Sequence, residues 1–321
     1  MTDDHDSVLQ LPDGAKVGLA VYGDPAGLPV LAFHGTPASR LMYRKGDAAA
    51  RKLGLRLIAT DRPGYGLSPI DRNGTLASRT DLHVAVADAL GLDRFALVGI
   101  SGGSPYAAAL ASRLADRITA LALVSPMGPV ADYVAAGLPR LPLLQRRFYL
   151  NLSQRGWVVK PGAAIGVAAF RAAPRVLANA FKGALGGEDS RMLSDPGVLD
   201  GLIEMTQEAL RSGASGAVAD FRIYGQPWAV DYRAISAPAT IWAGTADKVV
   251  PVPVCAYLAQ RIPRGRLITV PGGAHFWILE HVSEVLAQVR AMADNAQASP
   301  VEPGSTSGVM RPAPNSNPDL P

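Results

Sequence analysis

The sequence of 321 residues predicts an α/β fold in which a mostly parallel sheet of eight strands carries helices on both faces. Three observations support this prediction. Short apolar runs alternate with helical stretches at both ends of the chain. Residues 126–234 contain only helical stretches and are too long to be a loop in a compact domain. A glycine-rich turn around Ser101 joins a buried strand to a helix.

The first part of the sheet is predicted from apolar runs separated by turn residues. Two strands flank the turn Pro12-Asp13-Gly14 and form a β-hairpin. The predicted strands cover residues 8–11, 16–22, 29–33, 55–60, 95–99 and 118–124, and the helices between them cover residues 40–53, 75–90 and 104–114. An antiparallel beginning followed by strand–helix alternation is typical of a mostly parallel sheet.

The alternation resumes after residue 234, with strands at 239–243 and 266–270 and helices at 252–261 and 276–293. We therefore expect one α/β core, residues 8–125 and 235–293, with a helical insertion, residues 126–234, that forms a cap between strands 6 and 7. Residues 1–7 are expected to be an N-terminal extension. Residues 294–321, rich in Pro, Ser, Asn and Gly, are expected to be a disordered tail.

Composition excludes several classes of protein. A hydrophobic content of 48% can form a substantial core, and a net charge of +4 with no nucleic-acid motif does not indicate a nucleic-acid partner. Cys255 is the single cysteine, so no internal disulfide is possible. The acidic N-terminus lacks a signal-peptide pattern, and the most apolar stretch, residues 157–170, is interrupted by Lys160-Pro161. We expect a cytoplasmic protein without a transmembrane helix.

The stretch Gly99-Ile100-Ser101-Gly102-Gly103 has the spacing of a nucleophile elbow, a sharp turn from a strand to a helix with serine at its apex. Flanking glycines avoid steric collisions in such a turn. The pattern predicts Ser101 as the nucleophile and the amide of Gly102 as a donor to a developing oxyanion. The alternative is an ordinary glycine-rich turn.

A serine nucleophile needs a base, and the base needs an acid. His275 follows a strand parallel to the elbow strand, so we predict that it reaches the same sheet edge as Ser101. Asp247 also follows a parallel strand and is the predicted acid, because Ser125-Pro126-Met127 offers no carboxylate after strand 6. Structural roles are expected for the remaining histidines of the fold, His34, His83 and His281.

Several motifs together resemble one family. They are His34-Gly35-Thr36-Pro37, residues 61–68, the elbow, residues 244–251 and Gly273-Ala274-His275-Phe276. The chain resembles the capped branch of the α/β-hydrolases, which includes epoxide hydrolases, dehalogenases, serine esterases and C–C-bond hydrolases. The resemblance implies that the amide of Thr36 is the second oxyanion donor. Epoxide hydrolases and dehalogenases carry Asp at the nucleophile position, so Ser101 argues against both activities.

These predictions together indicate a cofactor-free serine hydrolase that cleaves an ester-like small molecule, an ester, lactone or thioester, through an acyl-enzyme. One alternative is a C–C-bond hydrolase of a β-diketone or a ring-cleavage product. Another is a hydrolase-derived ligand-binding receptor. The histidines and carboxylates lack metal-ligand spacing and no phosphate loop is present, so we expect neither a metal nor a nucleotide. The oligomeric state is not predicted.

Residues 133–187 contain no acidic residue, although eight basic ones occur there: Arg140, Arg146, Arg147, Arg155, Lys160, Arg171, Arg175 and Lys182. A basic and apolar stretch is compatible with an anionic substrate, with contact to a membrane surface, or with a solvated basic face, and the last is favoured here. The insertion also holds aromatic residues, most of which we expect to pack within it, with some lining a pocket.

Overall fold

An eight-stranded sheet forms the centre of the protein in the computed structural model, which describes residues 5–71, 73–137 and 143–298. The strands are β1 (Asp6–Gln10), β2 (Lys16–Gly23), β3 (Leu28–Phe33), β4 (Leu55–Thr60), β5 (Phe95–Ile100), β6 (Ile118–Val124), β7 (Ala239–Gly244) and β8 (Gly265–Val270). Their order is β1-β2-β4-β3-β5-β6-β7-β8. Strand β2 is antiparallel to β1 and β4, and all other neighbours are parallel.

The helices of the α/β core are α1 (Asp47–Lys52), α2 (Leu76–Ala89), α3 (Ser104–Arg113), α11 (Val252–Arg261) and α12 (Ile278–Ala298). Those of the insertion are α4 (Val130–Ala135), α5 (Leu143–Arg147), α6 (Gly156–Ala172), α7 (Pro174–Leu185), α8 (Gly187–Met192), α9 (Pro196–Ala209) and α10 (Ser215–Tyr224). The described part of the insertion contains no strand. The predicted α/β fold and the position of the insertion between β6 and β7 are therefore confirmed.

The two faces of the sheet are buried under different helices. Because side chains alternate along a strand, Leu31 and Phe33 of β3 pack in the cluster that holds residues of α2, α3 and α11. Val30 and Ala32 point to the other face, in the cluster with residues of α1 and α12. Both faces are covered, which explains why the central parallel strands are continuous apolar runs.

Some element boundaries differ from the prediction. Strand β1 begins at Asp6, inside the expected N-terminal extension, since its pairing with β2 continues to that residue. The helix expected at residues 40–53 is a 3₁₀ helix, Arg40–Gly46, followed by α1. Helix α12 changes direction at His281 and continues to Ala298, so the first residues of the expected disordered tail are helical. The remainder of that tail lies outside the described residues.

Candidate active site

The elbow positions Ser101 at the end of β5, where its backbone adopts a φ of 49°. This left-handed conformation costs a non-glycine residue about 1–3 kcal/mol. A Cβ on Gly102 would lie 2.3 Å from both Thr36 Oγ1 and Tyr224 Oη, and a Cβ on Gly103 would lie 2.2 Å from the carbonyl oxygen of Phe33. Only glycine fits at these two positions, as the sequence motif predicts.

The structure brings the three predicted catalytic side chains together at one edge of the sheet. Ser101 Oγ lies 3.1 Å from His275 Nε2, and His275 Nδ1 lies 2.9 Å from Asp247 Oδ2. The other oxygen of Asp247 accepts hydrogen bonds of 2.8 Å from the amides of Val249 and Val250. Asp247 is thus held in one orientation, with its free oxygen directed at the imidazole.

The environment of this pair favours the charged form of both groups. Burial raises the pKa of Asp247, but the charge of His275 and hydrogen bonds from His275, Val250 and Val249 outweigh burial and hold the pKa below its usual value. Burial lowers the pKa of His275, but Asp247, through its charge and hydrogen bond, and the charge of Asp189 outweigh burial and raise the pKa. The site is therefore suited to stabilise an imidazolium.

A shifted pH profile should follow from this environment. Since His275 accepts a proton only when neutral, kcat/KM for a neutral ester should rise with pH along one limb. Its midpoint should lie above the ordinary histidine pKa of about 6.5, because the protonated form persists to higher pH. The profile of the free enzyme measures this directly. A midpoint below about 6.5 would show that the carboxylates do not dominate the environment of His275.

A second carboxylate, missed in the sequence, fixes the histidine loop. Asp189 of α8 is buried, and its two oxygens accept hydrogen bonds from the amides of His275, at 3.1 Å, and Phe276, at 2.8 Å. The insertion thereby holds the backbone that carries the predicted base. The sequence gives one hint of this role for Asp189, since Glu188 and Asp189 are the first acidic residues after the basic stretch.

The two predicted oxyanion donors, Thr36 and Gly102, lie beside Ser101 and are held by a side chain of α10. The hydroxyl of Tyr224 donates to the carbonyl oxygen of Gly102 at 2.8 Å and lies 2.7 Å from Thr36 Oγ1. Both residues line the same cavity as Ser101. The backbone that carries the predicted donors is therefore tied to the insertion, and the sequence offered no sign of this contact.

Beneath this contact lies a cluster of buried charged and phenolic groups around Asp220 of α10, a residue with no exposed surface. Asp220 Oδ2 accepts hydrogen bonds from Arg62 at 2.7 Å, from Tyr65 at 2.7 Å and from Thr36 at 3.0 Å. Its Oδ1 accepts from Arg79 and Tyr106, at 3.0 and 2.5 Å. We call Asp220 and these five donors the Asp220 cluster.

The charge state of Asp220 follows from its partners. Burial raises the pKa of Asp220, but the charges of Arg62 and Arg79 and hydrogen bonds from Tyr106 and Arg62 outweigh it and lower the pKa to about 2. Arg62 also donates to the carbonyl oxygens of His34 and Gly35. The cluster therefore connects α10 to the loop that carries Thr36.

The other histidines make contacts of a structural kind. His34 is buried, donates from Nδ1 to the carbonyl oxygen of Gly35 at 2.8 Å and accepts from the amide of Arg62 at 3.1 Å. His83 is buried in α2 and bonds the carbonyl oxygen of Arg79. The exposed His281 lies 2.7 Å from Glu284. None of these three lines the cavity next to Ser101.

Ser101 and His275 open on a cavity of about 490 Å³. The core contributes Ser101, His275 and the Gly35–Thr36 segment. The insertion contributes apolar side chains, among them Phe170, Leu177, Phe181, Leu202 and Ile203. Among the described residues that line it, none is Arg, Lys, Asp or Glu. The described residues also include no cluster of three or more His, Cys, Asp or Glu arranged to hold a metal ion.

The fold agrees with comparison to known proteins. The family described as alpha/beta hydrolase fold matches residues 29–282, most of the chain. The chain therefore belongs to the α/β-hydrolase superfamily of enzymes.

Individual relatives are distant. The chain is 26% identical over 298 residues to 2-hydroxymuconate semialdehyde hydrolase of Pseudomonas putida, covering 90% of this chain and 94% of that enzyme. It is 32% identical over 127 residues to haloalkane dehalogenase 2 of Mycobacterium tuberculosis, covering 38% of this chain and only 43% of that enzyme. A thermophilic esterase from Thermogutta terrifontis superposes with a TM-score of 0.64 at 23% identity, covering 91% of this chain and 98% of that chain.

Proposed function

We propose that this protein is a serine hydrolase that cleaves a neutral, largely apolar ester-like small molecule, an ester, lactone or thioester. Ser101 attacks the carbonyl carbon while His275 takes its proton, and Asp247 orients and stabilises the imidazolium. The amides of Thr36 and Gly102 bind the oxyanion. His275 returns the proton to the leaving alcohol or thiol, and water then releases the acid with His275 again as base.

The observation that carries the proposal is the hydrogen-bonded series from Ser101 through His275 to Asp247, opening on an apolar cavity. A carboxylate nucleophile is the alternative chemistry of dehalogenases and epoxide hydrolases, and position 101 holds serine instead. Because no Arg or Lys among the described residues lines the cavity, an anionic acyl group would lose its hydration without a permanently charged partner. An apolar acyl chain is favoured.

A C–C-bond hydrolase is the second candidate, since the same triad serves both reactions. The match to 2-hydroxymuconate semialdehyde hydrolase along 90% of the chain supports keeping it. The uncharged cavity lining favours a neutral β-diketone over an anionic ring-cleavage product as the substrate of such a reaction. A ligand-binding receptor on the same scaffold is disfavoured by the complete hydrogen-bonded triad.

A fluorophosphonate probe tests the proposed nucleophile, because only an activated serine attacks phosphorus readily. We expect one equivalent of probe on Ser101, located by peptide mass spectrometry, and no labelling of Ser101→Ala. Ser104→Ala is the matched control, because Ser104 is the next serine in the elbow and donates to the carbonyl oxygen of Gly99. It should still be labelled. Labelling that persists in Ser101→Ala would refute the assignment.

The bond that is cleaved is tested by turnover of matched substrates. A neutral ester with an apolar acyl chain should be hydrolysed, and where deacylation is the slower step a burst of alcohol equal to the enzyme concentration should mark the acyl-enzyme. The same ester with a terminal carboxylate should have a higher KM. Turnover of a β-diketone without turnover of any ester, lactone or thioester would favour the second candidate, and binding without turnover of any of them would favour a receptor.

A further inference from the structure

Helix α6 (Gly156–Ala172) has an apolar face that no other described part of the protein buries. Its residues Trp157, Pro161, Ile165, Ala168 and Ala172 recur every three or four positions and are all exposed. Of the 17 residues of the helix, only Val167 is buried. An amphipathic helix normally turns such a stripe towards a core. We call these five residues the outer face of α6.

The exposure of this face is large for apolar side chains. Trp157 is 79% exposed and Ile165 is 71% exposed. The neighbouring helix α7 adds Val176, which is 65% exposed. Single exposed apolar residues are common on protein surfaces, but a large aromatic, a β-branched residue and a periodic stripe on one helix indicate an interaction surface.

Charge identifies the kind of partner. Helices α6 and α7 together contain four basic residues, Lys160, Arg171, Arg175 and Lys182, and no acidic one. Arg155, just before α6, is also exposed. Of these residues, Arg175 has an acidic partner, Asp200, at 2.8 Å. An apolar stripe beside basic side chains matches the surface of an anionic bilayer, which offers phosphates above an apolar interior.

The opposite side of the same two helices forms a wall of the cavity. Gly166 and Phe170 of α6 and Phe181 of α7 line it. Phe181 is also 46% exposed and packs edge-on against Phe276, with ring centroids 6.0 Å apart, so it lies at the rim. The outer face of α6 and the cavity next to Ser101 are therefore separated by one layer of helices.

We propose that the outer face of α6 docks on an anionic phospholipid bilayer. Trp157 and Ile165 enter the boundary between headgroups and acyl chains, and Arg155 and Lys160 bind lipid phosphates. A second copy of the chain is a poorer partner, since a two-fold contact through this face would set one basic surface against another. Docking would bring apolar molecules dissolved in the bilayer to the rim at Phe181.

Co-sedimentation with vesicles tests this docking. Wild-type protein should sediment with vesicles of equal parts phosphatidylglycerol and phosphatidylcholine, and not with phosphatidylcholine alone. Trp157→Ser combined with Ile165→Ser should weaken binding by at least about tenfold. Arg155→Gln combined with Lys160→Gln should weaken it by about 30-fold at low salt, and added salt should weaken wild-type binding. Val8→Ser, at an exposed valine of β1, is the control and should bind as wild type.

The docking is separable from the proposed reaction. Ser101→Ala should bind vesicles as wild type does. The two double variants described above, which we call the α6 variants, should hydrolyse a water-soluble ester at the wild-type rate, since none of their substituted residues lines the cavity. Absence of wild-type binding to the anionic vesicles, or equal binding by the α6 variants, would overturn the docking without affecting the hydrolase proposal. A dimer that Trp157→Ser and Ile165→Ser convert to a monomer would also overturn it and assign the face to a second copy.

Discussion

Replacing Asp247 with asparagine should lower kcat by about 10⁴-fold and change KM only a few-fold. In the wild type, Asp247 Oδ2 accepts a hydrogen bond from His275 Nδ1–H, which leaves Nε2 free to take the proton of Ser101. The amides of Val249 and Val250 hold Oδ1, so an asparagine would keep its oxygen there and turn its NH₂ group towards the imidazole. His275 would then carry its proton on Nε2, where it cannot act as a base.

Steady-state kinetics with the neutral ester measures this loss, and probe labelling of Ser101 should slow in parallel. Asp93→Asn is a suitable control, because Asp93 is an exposed carboxylate beside α2 and should leave kcat unchanged. If Asp247→Asn retained most of its kcat, another carboxylate would have to orient His275. Asp189 is unsuited to that role in this arrangement, since it accepts from backbone amides rather than from the ring.

The sheet, and the placing of the three proposed catalytic side chains at one of its edges, were predictable because their signals are local. Ser101, Asp247 and His275 lie in the segments that follow β5, β7 and β8, and parallel strands bring their carboxyl ends to one edge. The glycines of the elbow indicate close approach of other atoms, which are side-chain atoms of Thr36 and Tyr224 at Gly102 and backbone atoms of Phe33 at Gly103. The order of the strands along the chain was therefore almost sufficient to predict which sheet edge carries these side chains.

The supporting residues were not predictable in the same way, because their partners lie far away in sequence. Asp220 contacts Arg62, 158 positions away, and Tyr224 contacts Gly102, 122 positions away. A single aspartate in the apolar stretch Gly216–Phe221 is compatible with many folds. The exposure of the outer face of α6 was not predictable for another reason. Periodic apolar residues in a helix normally indicate a buried face, and only the three-dimensional arrangement shows that this face is exposed.

Replacing Asp220 with alanine should lower the free energy of unfolding by about 3–5 kcal/mol. The side chains of Arg62 and Arg79 are 0% and 1% exposed. Removing the carboxylate would leave Arg62 without its counter-charge and Arg79 with only the partly exposed Asp71, 3.8 Å away. Asp220→Asn should cost less, because it keeps the side-chain volume and one acceptor oxygen. Both variants should also lower kcat, since Thr36 Oγ1 loses the carboxylate that holds its loop beside Ser101.

Urea unfolding near pH 7 measures the full effect. The lowered pKa of Asp220 means that its contribution is complete above the ordinary carboxyl pKa of about 3.9 and is lost as the pH falls towards 2. Asp200→Ala is the matched control in the same insertion, because its ion pair with Arg175 joins side chains that are 50% and 66% exposed. That variant should lose no more than about 1 kcal/mol. Equal losses in the two alanine variants would show that the Asp220 cluster does not anchor α10 to the core, and that the loop of Thr36 is held by other contacts.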